Sequence, residues 1–467
     1  MTATINHGGV NETLRFRYRQ FYCVKKTITL CPLPWAMPST LAMEQRRFDE
    51  YLERLASAVG HQDRHEPLRA YLVGLCLPGE RKSIEPLAAR VDPQHVSARH
   101  QSLHHFVALA PWDDRSLVRI SYREVLNQMD RHGGVMAWSI DDTGIPKKGI
   151  HSVGVARQYC GNLGKEDNCQ VAVSLSLVSE AVSVPAAYRL YLPEAWTKDK
   201  ARCREAGVPE AISFQTKWQI ALDEVDLLHT EGAPEAPVVA DAGYGTSLEF
   251  REGLTERGIP YVVGIPSTAT LWPPNQGPLT HARWKGRGRP PTLLRRDEKH
   301  RPMNALSLAR SLPEGVWETV VWREGTKGVL SSRFARVMVR VASRDFNRRT
   351  LRTPEWLLVE WPKGDPAPTR YWLSTMPPDT SMEMLVRLAK VRWRIERDYE
   401  ELKQEFGLNQ FEGRGWRGFH HHATLCIAAY GFLAAERARL SPPRPLAFLS
   451  TPRLPRAFHV RGSPHAP

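Results

Sequence analysis

The chain is predicted to be an α/β protein with a helical N-terminal domain and a β-rich insertion, and three observations predict it. Between about residues 131 and 265, short apolar runs alternate with helical periodicity, as strands alternate with helices around a layered sheet. Residues 43 to 130 carry helical spacing alone, punctuated by Pro and Gly. From 266 to about 379 the texture turns to Pro, Gly, Trp and Arg with alternating segments, which reads as a β-rich, basic insertion.

Residues 1 to 42 lack periodicity and end in the Pro-rich stretch Cys31-Pro32-Leu33-Pro34-Trp35-Ala36-Met37-Pro38. They read as a disordered leader, or as a sign that the natural start is Met43; a third reading is an arm that orders on DNA. At Met43 an amphipathic pattern begins, with Phe48, Tyr51, Leu52, Leu55 and Val59 at helical spacing. Helical segments follow near 66–77, 84–91, 102–110 and 119–131, separated by Pro78-Gly79, Asp92-Pro93 and Pro111-Trp112. This helical domain is expected to bind DNA and has room for a helix-turn-helix, although periodicity alone does not single out a recognition helix.

Val135 to Ile140 is an apolar run ending at Asp141-Asp142, read as a buried strand with carboxylates at its C-terminal end. Gln170–Val178 and Ala186–Leu192 read as strands and Phe214–His229 as a helix. Pro237 to Ala240 is a second short strand, ending at Asp241-Ala242-Gly243-Tyr244-Gly245. A helix over Ser247–Arg257 and a strand over Tyr261–Ile265 complete this part. Two helices, Met382–Phe406 and His421–Arg439, close the fold within residues 380–440, and the Pro- and Arg-rich tail of 441–467 is expected to fray.

Composition narrows the function. Of 467 residues, 64 are Lys or Arg and 50 are Asp or Glu, a formal net charge of +14 that points to a polyanionic partner, most often nucleic acid. The longest apolar run, Leu425 to Ala435, falls short of the ~18 residues a membrane span needs. The segment after Lys25-Lys26 is broken by Thr27, Thr29, Pro32 and Pro34, unlike a secretory signal. Seven scattered cysteines with no C-x-x-C pair argue against a disulfide framework or zinc ribbon and fit a reducing cytosol.

Three acids stand out by position. Asp142 and Asp241 each follow a predicted buried strand, where α/β sheets place their sites. Glu396 lies on the helix after the insertion, with Arg392 four residues before it and Lys403 seven after, a spacing that puts all three on one face. Taken singly, each has a plainer reading: Asp142-Thr143-Gly144 and Asp241-Ala242-Gly243 look like turns, and Glu396 like a solvated helix charge. Taken together, three carboxylates from two strand ends and one helix suit hard divalent ions, Mg²⁺ or Mn²⁺. Two such ions activate the attacking oxygen and stabilise the leaving one in phosphoryl transfer. Arg392 and Lys403 would then hold a phosphate. Asp141 competes with Asp142, since neighbours on a strand face opposite ways. Glu400, one turn after Glu396, is either its neighbour in support or the ligand itself.

The motifs resemble DDE-type insertion-sequence transposases, in particular the bacterial seven-oh-one group. The resemblance is carried by Ile140-Asp141-Asp142-Thr143-Gly144-Ile145-Pro146-Lys147-Lys148-Gly149 and His151-Ser152-Val153-Gly154-Val155-Ala156-Arg157-Gln158-Tyr159. It continues in Ala240-Asp241-Ala242-Gly243-Tyr244-Gly245, Arg392-Trp393-Arg394-Ile395-Glu396 and Trp416-Arg417-Gly418-Phe419-His420-His421-His422-Ala423-Thr424, and spans about residues 43 to 440. It implies an RNase H-like core, with the β-rich insertion between the second and third acids. Asp142, Asp241 and Glu396 become the metal-binding triad, with Asp142 preferred to Asp141 because the family places the acid immediately before Thr. The broader relatives' Tyr-x2-Arg-x3-Glu-x6-Lys signature fits Arg392, Glu396 and Lys403, but Ala389 stands at the Tyr position.

The resemblance also implies function. The chain is expected to bind the terminal repeats of an element in double-stranded DNA, cut to free a 3′-OH and join it to target DNA, using two Mg²⁺ or Mn²⁺ ions. It would act as a homo-oligomer on paired ends, in the bacterial cytoplasm at the nucleoid. The rival expectations are an inactive, repurposed DNA-binding derivative and a nuclease of the same fold that only hydrolyses.

Outside the triad, Trp284-Lys285-Gly286-Arg287-Gly288-Arg289-Pro290-Pro291 resembles an AT-hook core. Its Lys285, Arg287 and Arg289 are expected to meet DNA, through phosphate contact more than minor-groove insertion. Eight Lys or Arg stand between Arg283 and Arg301. Lys147 and Lys148, just after Asp142, are either phosphate contacts or ordinary loop charge. His420-His421-His422 point in different directions along a helix and read as packing rather than as one metal site. Trp272, Trp317 and Trp322 read as core.

Overall fold

The computed structural model describes residues 37–281, 284, 286, 287, 289, 291–325 and 328–441. Most of the expected leader, nearly all of the tail, and Lys285 therefore lie outside the described residues. Helices α1 (Met37–Ala58), α2 (His65–Cys76), α3 (Ile84–Val91), α4 (Val96–His104) and α5 (Asp114–Met129) come first. Strands β1 (Ala137–Pro146), β2 (Ala156–Cys160), β3 (Lys165–Val178) and β4 (Ser183–Leu190) follow, then helices α6 (Glu194–Lys198), α7 (Lys200–Glu205) and α8 (Lys217–Thr230). Next are β5 (Val238–Ala240), α9 (Ala242–Gly245), α10 (Leu248–Glu256) and β6 (Tyr261–Ile265). The stretch after β6 holds β7 (Thr270–Trp272), β8 (Met303–Asn304), α11 (Ala305–Ser311), β9 (Trp317–Gly325), β10 (Gly328–Val341), β11 (Glu355–Trp361) and β12 (Arg370–Ser374). Helices α12 (Met382–Lys390), α13 (Trp393–Gln404) and α14 (Trp416–Leu440) close the chain.

The described residues fall into two compact units. The first holds those up to Gly134, Asp142–Thr216 and those from Arg394 on. Its centre is α14, buried on nearly every side, as an apolar helix must be when other elements surround it. Helix α1 lays Phe48 and Tyr51 on Phe432, with ring centroids 4.9 and 5.5 Å apart, and the Tyr51 hydroxyl donates to the Ala428 carbonyl at 3.0 Å. Helix α5 comes so close to α14 that a Cβ on Gly431 would lie 2.2 Å from Ser121 Oγ. Lys82 is fully buried, and its Nζ donates to the Gly74, Leu75 and Leu77 carbonyls, groups that the end of α2 leaves unpaired. The left-handed Gly407 (φ +69°) packs on its stem, where any Cβ would sit 2.3 Å from Lys82 Cβ. In the sheet of this unit β3 pairs antiparallel with β2 through its first residues and with β4 through its last.

The second unit holds Val135–Asp141 and Lys217–Trp393. Here β1 pairs in parallel with β5, Ile140 opposite Ala240, and β5 in parallel with β6. The segment expected to be a β-rich insertion continues this sheet: β12 pairs antiparallel with β6, β11 with β12 and β10 with β11. Strands β9 and β7 both pair with β10. Trp272 is wholly buried, its indole N–H donating to Asp345 at 2.7 Å, as its reading as core expected. Parallel β1, β5 and β6 with helices between them give the expected α/β architecture.

Three local expectations need correction. Strand β1 does not stop at Asp142 but runs on to Pro146, because it continues past its parallel partner β5 and next to β3. The helix expected over Met382–Phe406 is two helices, α12 and α13, separated by a turn at Val391 and Arg392. Arg392 therefore does not share a helix face with Glu396 and Lys403. The last helix begins at Trp416, one turn and more before His421, because Phe419 and the histidines are buried with the rest.

Candidate active site

Asp142 is half-buried in β1, between buried Ile140 and Thr143. The pairing of β1 with β5 ends at Ile140 and Ala240, so the next residues on the two strands are Asp141 and Asp241. Asp141 forms an ion pair with Arg392, Nη1 to Oδ2 at 2.6 Å. Strand alternation sends the Asp142 side chain to the opposite face. Asp141 is thus engaged by a cation that the sequence alone had assigned to substrate phosphate.

Asp241 caps α9. Its Oδ1 accepts from the Gly243 and Tyr244 N–H groups at 2.8 and 3.3 Å, which leaves Oδ2 without a hydrogen bond among the described residues. The glycines around it are there for space: a Cβ on Gly245 would lie 2.0 Å from the Gly264 carbonyl oxygen of β6, and one on Gly264 2.9 Å from the Ala242 nitrogen. The run Asp241-Ala242-Gly243-Tyr244-Gly245 is accordingly a cap and a one-turn helix pressed on the neighbouring strand.

Glu396 sits in the first turn of α13 and is exposed. The opposite face of that helix, Ile395, Asp398, Tyr399 and Leu402, is buried. Arg394 anchors the helix start by donating to the Glu180 and Ala181 carbonyls. Asp398 accepts from the Tyr430 hydroxyl of α14 at 2.7 Å, and burial pushes its carboxyl up to about 6. Glu400 shares the outward face and accepts from Gln404 at 3.3 Å, while Lys403 is half-buried. Neither the Asp398 anchor nor the Asp141–Arg392 pair was read from the sequence. The 3.6-residue stripe through Ile395, Tyr399 and Leu402 was the available signal that Asp398 faces inward.

Lys147 is largely buried, its Nζ donating to the Phe411 carbonyl at 2.7 Å, and desolvation lowers it to about 8. Lys148 is exposed, as are Arg287 and Arg289. The three histidines are packing groups. The Leu190 N–H reaches His420 Nε2 at 3.3 Å, and Tyr71 and the Gly407 carbonyl hold the two nitrogens of His422 at 2.8 and 2.9 Å. Both nitrogens of His421 face backbone carbonyls, of Val107 at 2.9 Å and Trp112 at 3.0 Å, and its ring stacks on Trp112. Burial nonetheless holds its pKa down.

Three carboxylates are a donor set of the hard-oxygen type that divalent cations take. Asp241 has an oxygen to spare and Glu396 is open to solvent, so the residue chemistry fits such an ion. No group of three or more His, Cys, Asp or Glu side chains stands close enough to share one ion among the described residues.

Residues 54–329 match the family described as DDE superfamily endonuclease, more than half of the chain, and the protein belongs to that family. Asp142 and Asp241 fall within the matched residues and Glu396 beyond them. Its members generally use divalent metal ions and act on DNA. The chain is similar to a relative from Microchaete diplosiphon named "Probable transposase for insertion sequence element IS701", 29% identical over 231 residues. That match covers 49% of this chain and 56% of the relative, so it spans about half the length of each. Among the described residues, no helix is long and apolar enough to cross a membrane.

Proposed function

We propose that the protein is the DNA transposase of an insertion sequence, and that Asp142, Asp241 and Glu396 hold its metal ions. One observation carries the reading: the parallel neighbours β1 and β5 stop pairing at Ile140 and Ala240, with Asp142 two residues and Asp241 one residue beyond, and the family match covers both strands. The ions are two Mg²⁺ or Mn²⁺, and the substrates are element ends and target DNA in duplex form, bound by a homo-oligomer.

When bound, the divalent ions would supply charge neutralisation at the phosphate and a lowered pKa for the attacking water or hydroxyl. Asp241 holds one oxygen rigidly through its cap and presents the other. Glu396 projects outward from a helix whose buried face is fixed by Asp398 and Arg394. In the first step the oxygen of water bonds to phosphorus, the bond from phosphorus to the 3′ oxygen breaks, and that oxygen leaves as a 3′-OH. In the second step the 3′-OH attacks a target phosphodiester and displaces its 3′ oxygen, so one phosphodiester replaces another and no protein nucleophile is needed. Lys148, Lys403, Arg287 and Arg289 contribute phosphate contacts, and Lys147, with its amine buried, contributes less. Lys285 is proposed with them from sequence.

The test is incubation of the purified chain with duplexes carrying the inverted repeats that flank its gene, in Mg²⁺ or Mn²⁺. Nicks ending in 3′-OH, and ends joined to target DNA, are expected. Asp142→Asn and Glu396→Gln should each lower both reactions by about a thousandfold, roughly 4 kcal/mol of barrier. Cutting without joining would make the protein a nuclease, and full activity in either variant would remove that residue from the triad.

A further inference from the structure

We propose that Phe346 is an apolar contact to duplex DNA, its ring set against a base step while the nearby Arg295 and Arg349 meet phosphates. This rests on the reading above that the chain binds DNA, and adds to it a contact that is not electrostatic. Phe346 lies in the short turn Asp345–Asn347 after β10 and is 53% exposed. The turn is anchored from beneath. Asp345 is buried, its Oδ2 accepting from the Trp272 indole N–H of β7 at 2.7 Å and its Oδ1 paired with Arg296. Arg296 also donates to the Ala342 carbonyl at 2.7 Å, and its guanidinium stands 5.7 Å from the centre of the Phe346 ring. Arg344, just before, has φ +54°, a left-handed conformation that a residue with a Cβ adopts at a cost. Asp345 therefore holds a strained turn in place, and the next residue is a large apolar side chain left in water. That arrangement adds nothing to the core and suits a surface that is covered by something else.

Charge decides what covers it. The Leu294 N–H donates to the Arg348 carbonyl at 2.8 Å, which joins the two segments that carry Arg295 and Arg349. Both arginines are exposed, and neither has a carboxylate partner among the described residues. Arg344, Arg348 and Arg352, by contrast, are paired with Glu249 and Glu252 of α10. Leu293 and Leu351, on the same two segments, are exposed as well. Apolar side chains among unneutralised guanidiniums fit a duplex, where phosphates flank the base steps that apolar wedges enter. A second copy of this chain would instead bring its own excess of +14 against those arginines. The surface is also continuous with the segment that resembles an AT hook. Leu279 and Arg295 exchange backbone hydrogen bonds of 2.9 and 3.0 Å on either side of that segment.

The experiment uses the full chain and a labelled duplex carrying the inverted repeats that flank its gene, with affinity read by anisotropy across a salt series. Phe346→Ala should weaken binding by about tenfold or more, the scale of one aromatic–base contact, and by the same factor at every salt concentration. Phe346→Trp should bind as the parent does. Arg295→Ala and Arg349→Ala should each lower the salt slope by about 1, as the loss of a phosphate contact does. Phe346 is exposed, so Phe346→Ala should melt with the parent, which separates a lost contact from a lost fold. Unchanged affinity in Phe346→Ala overturns the proposal, as does a loss that appears only as a changed slope. Self-association of the parent that Phe346→Ala abolishes, with duplex affinity kept, overturns it in favour of a contact between copies. A parent that binds no duplex fails the DNA reading itself and takes this contact with it, whereas equal binding by parent and Phe346→Ala removes the contact alone.

Discussion

Asp241 separates structure from chemistry within one side chain. Its Oδ1 caps α9 and its Oδ2 is the oxygen proposed for metal. Asn caps a helix about as well as Asp. Asp241→Asn should therefore melt close to the parent and yet lose cleavage, whereas Asp241→Ala should lose cleavage and about 1 kcal/mol of stability besides. Thermal melts beside nicking assays check this, and an active Asp241→Asn would refute the ligand role. His422 gives a pH prediction. Burial lowers it from 6.5 to about 4, and it lowers His420 as well. The unfolded chain takes up these protons near pH 6.5 while the fold resists them, so stability is full above that pH and falls as pH drops towards about 4. The slope is at most about 1.4 kcal/mol per pH unit for each histidine. Melts of the parent against His422→Gln should show a shallower acid limb in the variant. At this scale the sequence was readable where residue type and strand end coincide, as at Asp142 and Asp241. It was silent on Lys82 and Asp398, whose burial is decided by segments hundreds of residues away or by the far side of a helix.

At the level of elements, the packing of α9 on β6 is what places the second acid. A Cβ on Gly245 would meet the Gly264 carbonyl at 2.0 Å, and backbone cannot swing aside as a side chain does. Gly245→Ala should cost about 1–3 kcal/mol through overpacking and should disturb the Asp241 cap. Gly315→Ala, with nothing within 4 Å of the added carbon, is the matched control and should melt as the parent does. Equal melting of both variants would refute the tight approach. Helices and strands with strong periodicity were legible: 84–91 was read to the residue, and the strands at Val238–Ala240 and Tyr261–Ile265 nearly so. The α12–α13 break was not, since Val391-Arg392 carries no local signal and the pair with Asp141 joins residues 251 positions apart. The continuation of the second unit's sheet into β12, β11 and β10 was equally hidden, because alternation shows that a segment is a strand and not which strand it pairs with.

For the whole molecule the deciding quantity is charge. Many arginines are already committed to carboxylates, as Arg251 is to Glu355, Arg257 to Asp226, and Arg348 and Arg352 to Glu252. The excess of +14 therefore has to be spread over other cations, and Arg287 and Arg289 are exposed in the segment that resembles an AT hook. Each phosphate neutralised on duplex DNA releases condensed counterion, so the logarithm of affinity falls linearly with the logarithm of salt, by about 0.9 per contact. Phosphate contact and groove insertion then separate cleanly. If Arg287 and Arg289 meet phosphates, Arg287→Ala and Arg289→Ala should each reduce the salt slope by about 1 and weaken binding alike on A·T-rich and G·C-rich duplexes. If they enter the minor groove, the loss should fall mainly on A·T-rich duplexes, where the groove is narrow and its potential most negative. Fluorescence anisotropy across a salt series on two duplexes of equal length measures both quantities. The exposure of Arg287 and Arg289 favours the first outcome, because entering a groove costs ordering entropy and touching a phosphate costs little. A slope unchanged in both variants would remove this segment from the DNA-binding surface.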